Sequence, residues 1–387
     1  MPLNYIDIHS SQLNKTGEEL CGDRVMVDRT ADYSRVVLSD GLGSGVKANI
    51  LATLTAEIAM SMLREGAVVD DVVSTIMGTL PSCQVRKIAY ATLTLFEIDN
   101  TTRKFRILNY DNPEPIYIHN GEVQELASTE QLCEGRKFKL YQGTLEEKDF
   151  IGLMSDGVCY AGMGNTYNFG WGMANIAGYL NAHLDRTINH TETVVESLIG
   201  QTNRLYIEKP GDDATFVGIY NRKRRRAMVF TGPPENEADD ADVCKRLMKF
   251  DGRRIVCGGT TSNIIARELG EKVFTKLDSL REEVPPLGSL PGIDLVTEGI
   301  LTLNKTLEII KEVEGDYSML PNDRNAAMLL ALDLLVADEV IFLVGQKINS
   351  YYQNPRLPLN FSIRNSLVTQ LVDLLHAYGK DVQVEYL

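Results

Sequence analysis

The sequence predicts an α+β chain: an α/β-β/α four-layer sandwich of antiparallel sheets flanked by helices, followed by a separate α/β domain. Three observations predict it. Two apolar runs end in the same tripeptide, Val36-Val37-Leu38 in Ser39-Asp40-Gly41 and Phe150 to Met154 in Ser155-Asp156-Gly157. Helices, a run of short antiparallel strands, more helices and a final strand follow one another, which implies sheets covered by helices on both faces. The basic run Arg222-Lys223-Arg224-Arg225-Arg226 then marks a boundary, read as a solvated linker in preference to a docking patch. Beyond it strands and helices alternate, so residues 1–222 and 228–387 are expected to be separate domains.

With 387 residues there is ample chain for two domains, and 44% hydrophobic with 24% charged residues is ordinary globular composition. A formal charge of −14 argues against nucleic acid or an anionic membrane as partner. No apolar stretch reads as a membrane span, and the N-terminus lacks a signal-peptide pattern. The six cysteines show no C-x-x-C spacing and read as reduced thiols, so a cytoplasmic location is expected.

In order, residues 4–9 alternate like a strand. Asp23 enters a second strand, through Val25 and Val27, that can pair with Val36–Leu38 and set Asp23 beside Asp40. Alternatively, Asp23 only closes a turn. Val46, Ile50, Leu54, Ile58 and Met62 recur at helical spacing after Gly41-Leu42-Gly43-Ser44-Gly45, with alanines between them. Those alanines suit a helix packed closely on a sheet. Ala91 to Ile98, Lys104 to Leu108, Ile116 to Ile118 and Val123 to Leu126 form a meander. After helices near 171–184 and 191–206, Ala214 to Tyr220 is an edge-like strand with Asp212 and Asp213 at its entrance.

Four acidic strand ends result: Asp23, Asp40, Asp156 and Asp212. Clustered carboxylates repel unless a cation sits between them, and two hard divalent ions satisfy such a set best. Such a pair acidifies a bound water and grips a phosphoryl oxygen, so attack on phosphorus needs no protein nucleophile. No histidine neighbours these acids in sequence, and neither a Cys-x5-Arg nor a Walker-type loop is present, which points to Mn2+ or Mg2+ over zinc.

Gly22-Asp23, Ser39 to Gly45, Met154-Ser155-Asp156-Gly157 and Gly211-Asp212-Asp213-Ala214-Thr215 together resemble the metal-dependent protein serine/threonine phosphatases of type 2C, specifically the SpoIIE/RsbU branch. The resemblance covers about residues 1–222 with every motif in family order. It implies a dinuclear Mn/Mg centre in which Asp40 bridges both ions, the Gly41 carbonyl reaches one through water, and Asp23, Asp156 and Asp212 complete the set. Asp213 is the alternative to Asp212. Asp40 and Asp156 would be the catalytic pair, and the substrate a phosphorylated bacterial regulatory protein. Two departures stand out: Ser44 replaces the family's histidine, and Asn109-Tyr110-Asp111-Asn112-Pro113-Glu114 keeps only the outline of Asn-Ala-Gly-His-x-Pro.

The second domain resembles no family. Gly258-Gly259-Thr260-Thr261 lies between a strand and a helix, where it either holds an anion on backbone N–H groups or merely permits a tight turn. A regulatory, sensing or dimerising role is expected for this half, including a homodimer formed through it. The competing reading of the whole chain is a catalytically silent scaffold that binds a phosphoprotein; intact acids at all four strand ends favour the enzyme, because a scaffold does not need costly clustered carboxylates.

Overall fold

The computed structural model describes residues 4–79, 91–133, 135–184, 190–276, 284–347 and 359–387, so Cys83 lies outside the described residues. The chain divides into two compact units, Met1–Lys223 and Arg224–Leu387.

In the first unit, β1 (Asn4–Leu13), β11 (Ala214–Lys223), β10 (Phe150–Met154), β6 (Ile116–His119) and β7 (Glu122–Gln124) form, in that order, a five-stranded antiparallel sheet. A six-stranded antiparallel sheet runs β2 (Asp23–Arg29), β3 (Tyr33–Asp40), β4 (Leu93–Asp99), β5 (Lys104–Tyr110), β9 (Arg136–Thr144) and β8 (Ser128–Cys133). Their inner faces share one core: Val36, Leu38, Phe96 and Ile107 meet Ile6, Ile151, Leu153 and Val217. Burying each such side chain contributes about 1.5–3 kcal/mol before chain entropy is counted. Helices α1 (Gly45–Arg64) and α2 (Val69–Thr79) cover the outer face of the six-stranded sheet. Helices α3 (Asp156–Cys159), α4 (Met173–Leu184) and α5 (Thr191–Leu205) cover the other. This is the expected α/β-β/α sandwich.

One expectation is sharpened and two are corrected. The packed face of α1 carries the alanines, with Ala48, Ala52, Thr55, Ala56 and Ala59 followed by Met60 and Leu63, whereas Val46, Ile50 and Leu54 are more than half exposed. The small residues let the helix backbone approach the sheet closely. Next, β11 is an interior strand between β1 and β10, and nine of its ten residues are buried. The acids before it mimic an edge because they sit at the sheet's rim, not along the strand. Finally, α1 is long and apolar enough to cross a membrane by length and composition alone; in the fold it packs on the sheet.

The second unit is doubly wound. Its sheet runs β14 (Phe274–Lys276), β15 (Leu287–Ser289), β16 (Leu295–Thr297), β13 (Arg253–Cys257), β12 (Arg226–Thr231), β17 (Glu339–Val344) and β18 (Asp381–Tyr386), with β16 through β18 parallel. Helices α6 (Asp240–Lys249) and α7 (Gly259–Leu269) pack on one face. Helices α8 (Ile300–Glu312), α9 (Ala326–Val336) and α10 (Leu359–Ala377) pack on the other. Buried on both faces, β17 reads Glu-Val-Ile-Phe-Leu-Val with no polar alternation after its first residue, as a central parallel strand should.

Candidate metal centre

Each sheet of the first unit delivers two of the four acids. Asp23 opens β2 and Asp40 closes β3, directly opposite one another in the antiparallel register. Asp156 follows β10 as the first residue of α3, and Asp212 precedes β11, the neighbour of β10. Two hydroxyl-bearing residues, buried Ser155 and partly buried Thr92, set the geometry. The Ser155 hydroxyl donates to Asp23 Oδ2 (2.7 Å) and accepts from the Thr215 N–H (2.9 Å), which ties the six-stranded sheet to the five-stranded one. The Thr92 hydroxyl accepts from the Asp40 N–H (2.9 Å), and Ser39 donates to the Thr92 carbonyl (2.7 Å).

The glycines of the two Ser-Asp-Gly motifs serve close approach. A Cβ on Gly41 would collide with the Ala48 carbonyl of α1, and one on Gly157 with the Asp213 carbonyl. Both glycines therefore let an acid-bearing turn press against a neighbouring backbone. The Tyr206 hydroxyl donates to the Gly157 carbonyl (2.7 Å), holding the second turn from α5's end.

Electrostatics show how near the acids stand. Asp40 is pushed well above the usual carboxylate range, first by burial and then by repulsion from Asp23, Asp156 and Asp212. Burial raises Asp23 too; the Ser155 hydroxyl opposes that rise, while Asp213 and Asp156 add to it. Asp156 is raised by burial and then by Asp212. Asp212 is raised by burial, with Lys15 working against the rise. Asp213, the alternative to Asp212, has one oxygen accepting the Lys15 N–H (2.9 Å) and is 4% exposed.

The chemistry of this set fits a hard cation. Asp23 Oδ1 is buried without a hydrogen-bond partner, as is Asp213 Oδ2, and the four strand-end acids offer carboxylate oxygens, the donors a hard ion prefers. Among the described residues no three His, Cys, Asp or Glu side chains already form a ready-made cage. The carboxylates are close enough to raise one another's proton affinity yet are not drawn onto a single point.

Ser155, Thr215 and Thr92 carry roles that sequence reasoning did not assign. The signal was the serine repeated before both Asp-Gly pairs; its partner across the seam lies 132 residues away (155 − 23) and has no local trace. Ser44, in the place of the family histidine, donates to Glu18 (3.0 Å) at the first turn of α1. The Asn109–Glu114 stretch is self-bonded, the Asn109 amide donating to the Asn112 (2.8 Å) and Pro113 (3.2 Å) carbonyls, and it is tied to β4 by Thr94, which donates to Asn109 Oδ1 (2.6 Å) and accepts from the Asn112 amide (2.8 Å). Gly258, Gly259, Thr260 and Thr261 belong to the second unit, at the start of α7.

A helix-flanked pair of antiparallel sheets with acids at the strand ends of both is the architecture of the type 2C phosphatases. Residues 30–221 match the family described as Stage II sporulation protein E (SpoIIE), and this segment is a domain of that family. The match contains Asp40, Asp156 and Asp212; Asp23 lies just before it. No curated protein matches the chain. Among solved structures, the chain is similar to the phosphatase domain of SpoIIE from Bacillus subtilis with a fragment of its regulatory domain, at 18% identity and a TM-score of 0.49, covering 57% of this chain and 65% of that one. It is also similar to the RsbU and RsbW domains of Rv1364c from Mycobacterium tuberculosis (18%, 0.46, 62% and 67%) and to the SiaA-PP2C domain of Pseudomonas aeruginosa (19%, 0.42, 55% and 84%). The chain thus spans just under two thirds of the first of these.

Proposed function

We propose that the chain is a metal-dependent protein serine/threonine phosphatase that removes phosphate from serine or threonine of a regulatory protein. One observation carries this reading: Asp23 and Asp40 stand directly opposite at the rim of one sheet, Asp156 and Asp212 at the rim of the other, and a buried Asp23 oxygen has no partner. Such a set is costly without cations. Asp40 would face both ions, with the Gly41 carbonyl beside it and Asp23, Asp156 and Asp212 completing the shell. When bound, two Mn2+ or Mg2+ ions supply an acidified water and a grip on the phosphoryl oxygens.

The chain's own residues do the rest. Ser155 engages one oxygen of Asp23 and so leaves the other free for the seam. Thr92 fixes the backbone of Asp40, and the Gly41 and Gly157 turns hold their acids against rigid backbone. A phosphorylated regulatory protein is the substrate class that the family supports, and the thiol pattern supports a cytoplasmic location; the second unit would regulate, sense or dimerise. Hydrolysis of p-nitrophenyl phosphate with Mn2+, Mg2+ or EDTA tests the reading. Turnover with either ion and none in EDTA is expected, and full turnover in excess EDTA would sink it.

A further inference from the structure

In the second unit, β13 and β16 are adjacent and parallel, yet their onward connections leave to opposite faces. Helix α7 buries Ile265 and Ala266 on one side of the sheet, and α8 buries Leu303 and Leu307 on the other. Such a divergence opens a crevice outside the carboxyl ends of the two strands; the strand order itself reverses farther along, between β12 and β17. Both helices begin there, and their N-caps touch: a Cβ on Gly299, the cap of α8, would lie 3.5 Å from the Cα of Gly258, the cap of α7.

Neither cap supplies a side-chain acceptor. Helical bonding starts only at Ser262 N–H to Gly258 and Leu303 N–H to Gly299 (3.0 Å). The amides of Gly259, Thr260 and Thr261, and of Ile300, Leu301 and Thr302, precede those bonds and have no carbonyl one turn back. Two helix N-termini, with the positive ends of their dipoles, thus converge on one point.

One feature marks this point as a ligand site. The Thr302 hydroxyl, in the first turn of α8, is fully buried and has no hydrogen-bond partner. Side chains lean toward the N-terminus of their helix, so this hydroxyl is directed at the crevice. An unpaired buried hydroxyl is costly unless something occupies it. Farther along the same rim, after β12 and β17, stands Arg364 on α10. Its guanidinium stands against Gly232, donates to the Gly345 carbonyl (3.2 Å), and forms no ion pair among the described residues. Gly232 in turn donates to the Thr261 hydroxyl (2.9 Å), which connects the arginine to the first turn of α7. The rim is open at Gly259 and Thr260, and it carries one exposed acid, Glu298.

We infer that this crevice binds a small phosphate ester bearing a hydroxyl group, such as a sugar phosphate or nucleotide. The phosphate would lie on the converging amides, with Thr302 donating to it and Arg364 lending positive charge. Glu298 would accept from the hydroxyl; a bare anion would find only repulsion there. None of these residues belongs to the carboxylate seam, so the inference does not depend on the phosphatase reading.

The test is calorimetry on the full chain in EDTA, so that no cation at the seam can hold phosphate, with ribose 5-phosphate, AMP and inorganic phosphate as probes. At least one ester should bind, and inorganic phosphate should bind roughly tenfold more weakly or worse. Gly259→Asp places a carboxylate on the α7 amides, and Thr302→Val removes the unpaired hydroxyl. Both should melt no lower than wild type without ligand, yet weaken ester binding by roughly tenfold or more. Binding of no probe, of inorganic phosphate as tightly as of the esters, or of an ester equally by both variants and wild type would overturn the assignment.

Discussion

Ser155→Ala isolates the link between the two sheets. Wild-type Ser155 is fully buried and makes two side-chain bonds, a 2.7 Å donation to the Asp23 carboxylate and a 2.9 Å acceptance from the Thr215 N–H. Removing a hydrogen bond to a carboxylate costs about 1.5–3 kcal/mol, and orphaning the buried N–H adds about 1–3 kcal/mol. The two overlap in one small site, so a total near 3–4 kcal/mol is expected. For a unit of this size that corresponds to a fall of roughly 6–16 °C in its melting transition. Loss of the donor also raises the proton affinity of Asp23 further, so Mn2+ should stabilise the variant less than wild type at neutral pH. Differential scanning calorimetry with and without Mn2+ reads both effects. A variant that melted within ~2 °C of wild type, with an unchanged Mn2+ increment, would show that Ser155 does not hold Asp23.

Three further outcomes are expected. Asp40→Asn should lower Mn2+-dependent turnover on the order of a thousandfold while the metal-free protein melts no lower than wild type; exposed Asp111, whose φ of 57° an asparagine adopts readily, gives the control Asp111→Asn, and near-normal turnover in Asp40→Asn would refute the seam's role. The folded-state proton affinities of Asp40, Asp23, Asp156 and Asp212 are all raised, so their contribution to metal-free stability is full below about pH 4 and is lost as pH climbs through their raised values; calorimetry across pH should show this decline in EDTA and its reversal by Mn2+, and no pH-dependent difference between Asp40→Asn and wild type would contradict it. Gly41→Ala should cost at least ~2 kcal/mol and reduce turnover, since its methyl meets the α1 backbone and not a flexible side chain; an unperturbed melting curve would show that α1 can give way.

The strand-end acids were legible because each closes or opens an apolar run, and a polar group at such a boundary stands at a sheet's rim whatever the topology. The sandwich was legible for a similar reason: alternation and helical spacing are local signals. What failed was anything decided at a distance. Helical spacing placed Val46, Ile50 and Leu54 on α1 but could not say that they would be exposed, because hydropathy does not encode clearance. The acids before β11 suggested an edge, yet its two neighbours lie more than 60 and 200 residues upstream. The divergence of β13 and β16, which makes the crevice in the second unit, depends on strand order, and strand order leaves no periodicity to read.

The pairing of β1 with β11 has a consequence for how the chain is made. Asn4 faces Lys223 and Leu13 faces Ala214, so the first strand of this unit finds its partner only after some two hundred further residues have been synthesised. The acids are spread likewise, with 189 positions from Asp23 to Asp212 (212 − 23). A nascent chain can form the six-stranded sheet early, but its first strand must wait unpaired, and contacts this distant in sequence are slow to form. No chain that stops before Asp212 holds the complete carboxylate set. A product truncated before β11 would therefore be unable to assemble the centre, and the unit gains the means for its chemistry only when its last strand slides into the middle of its sheet.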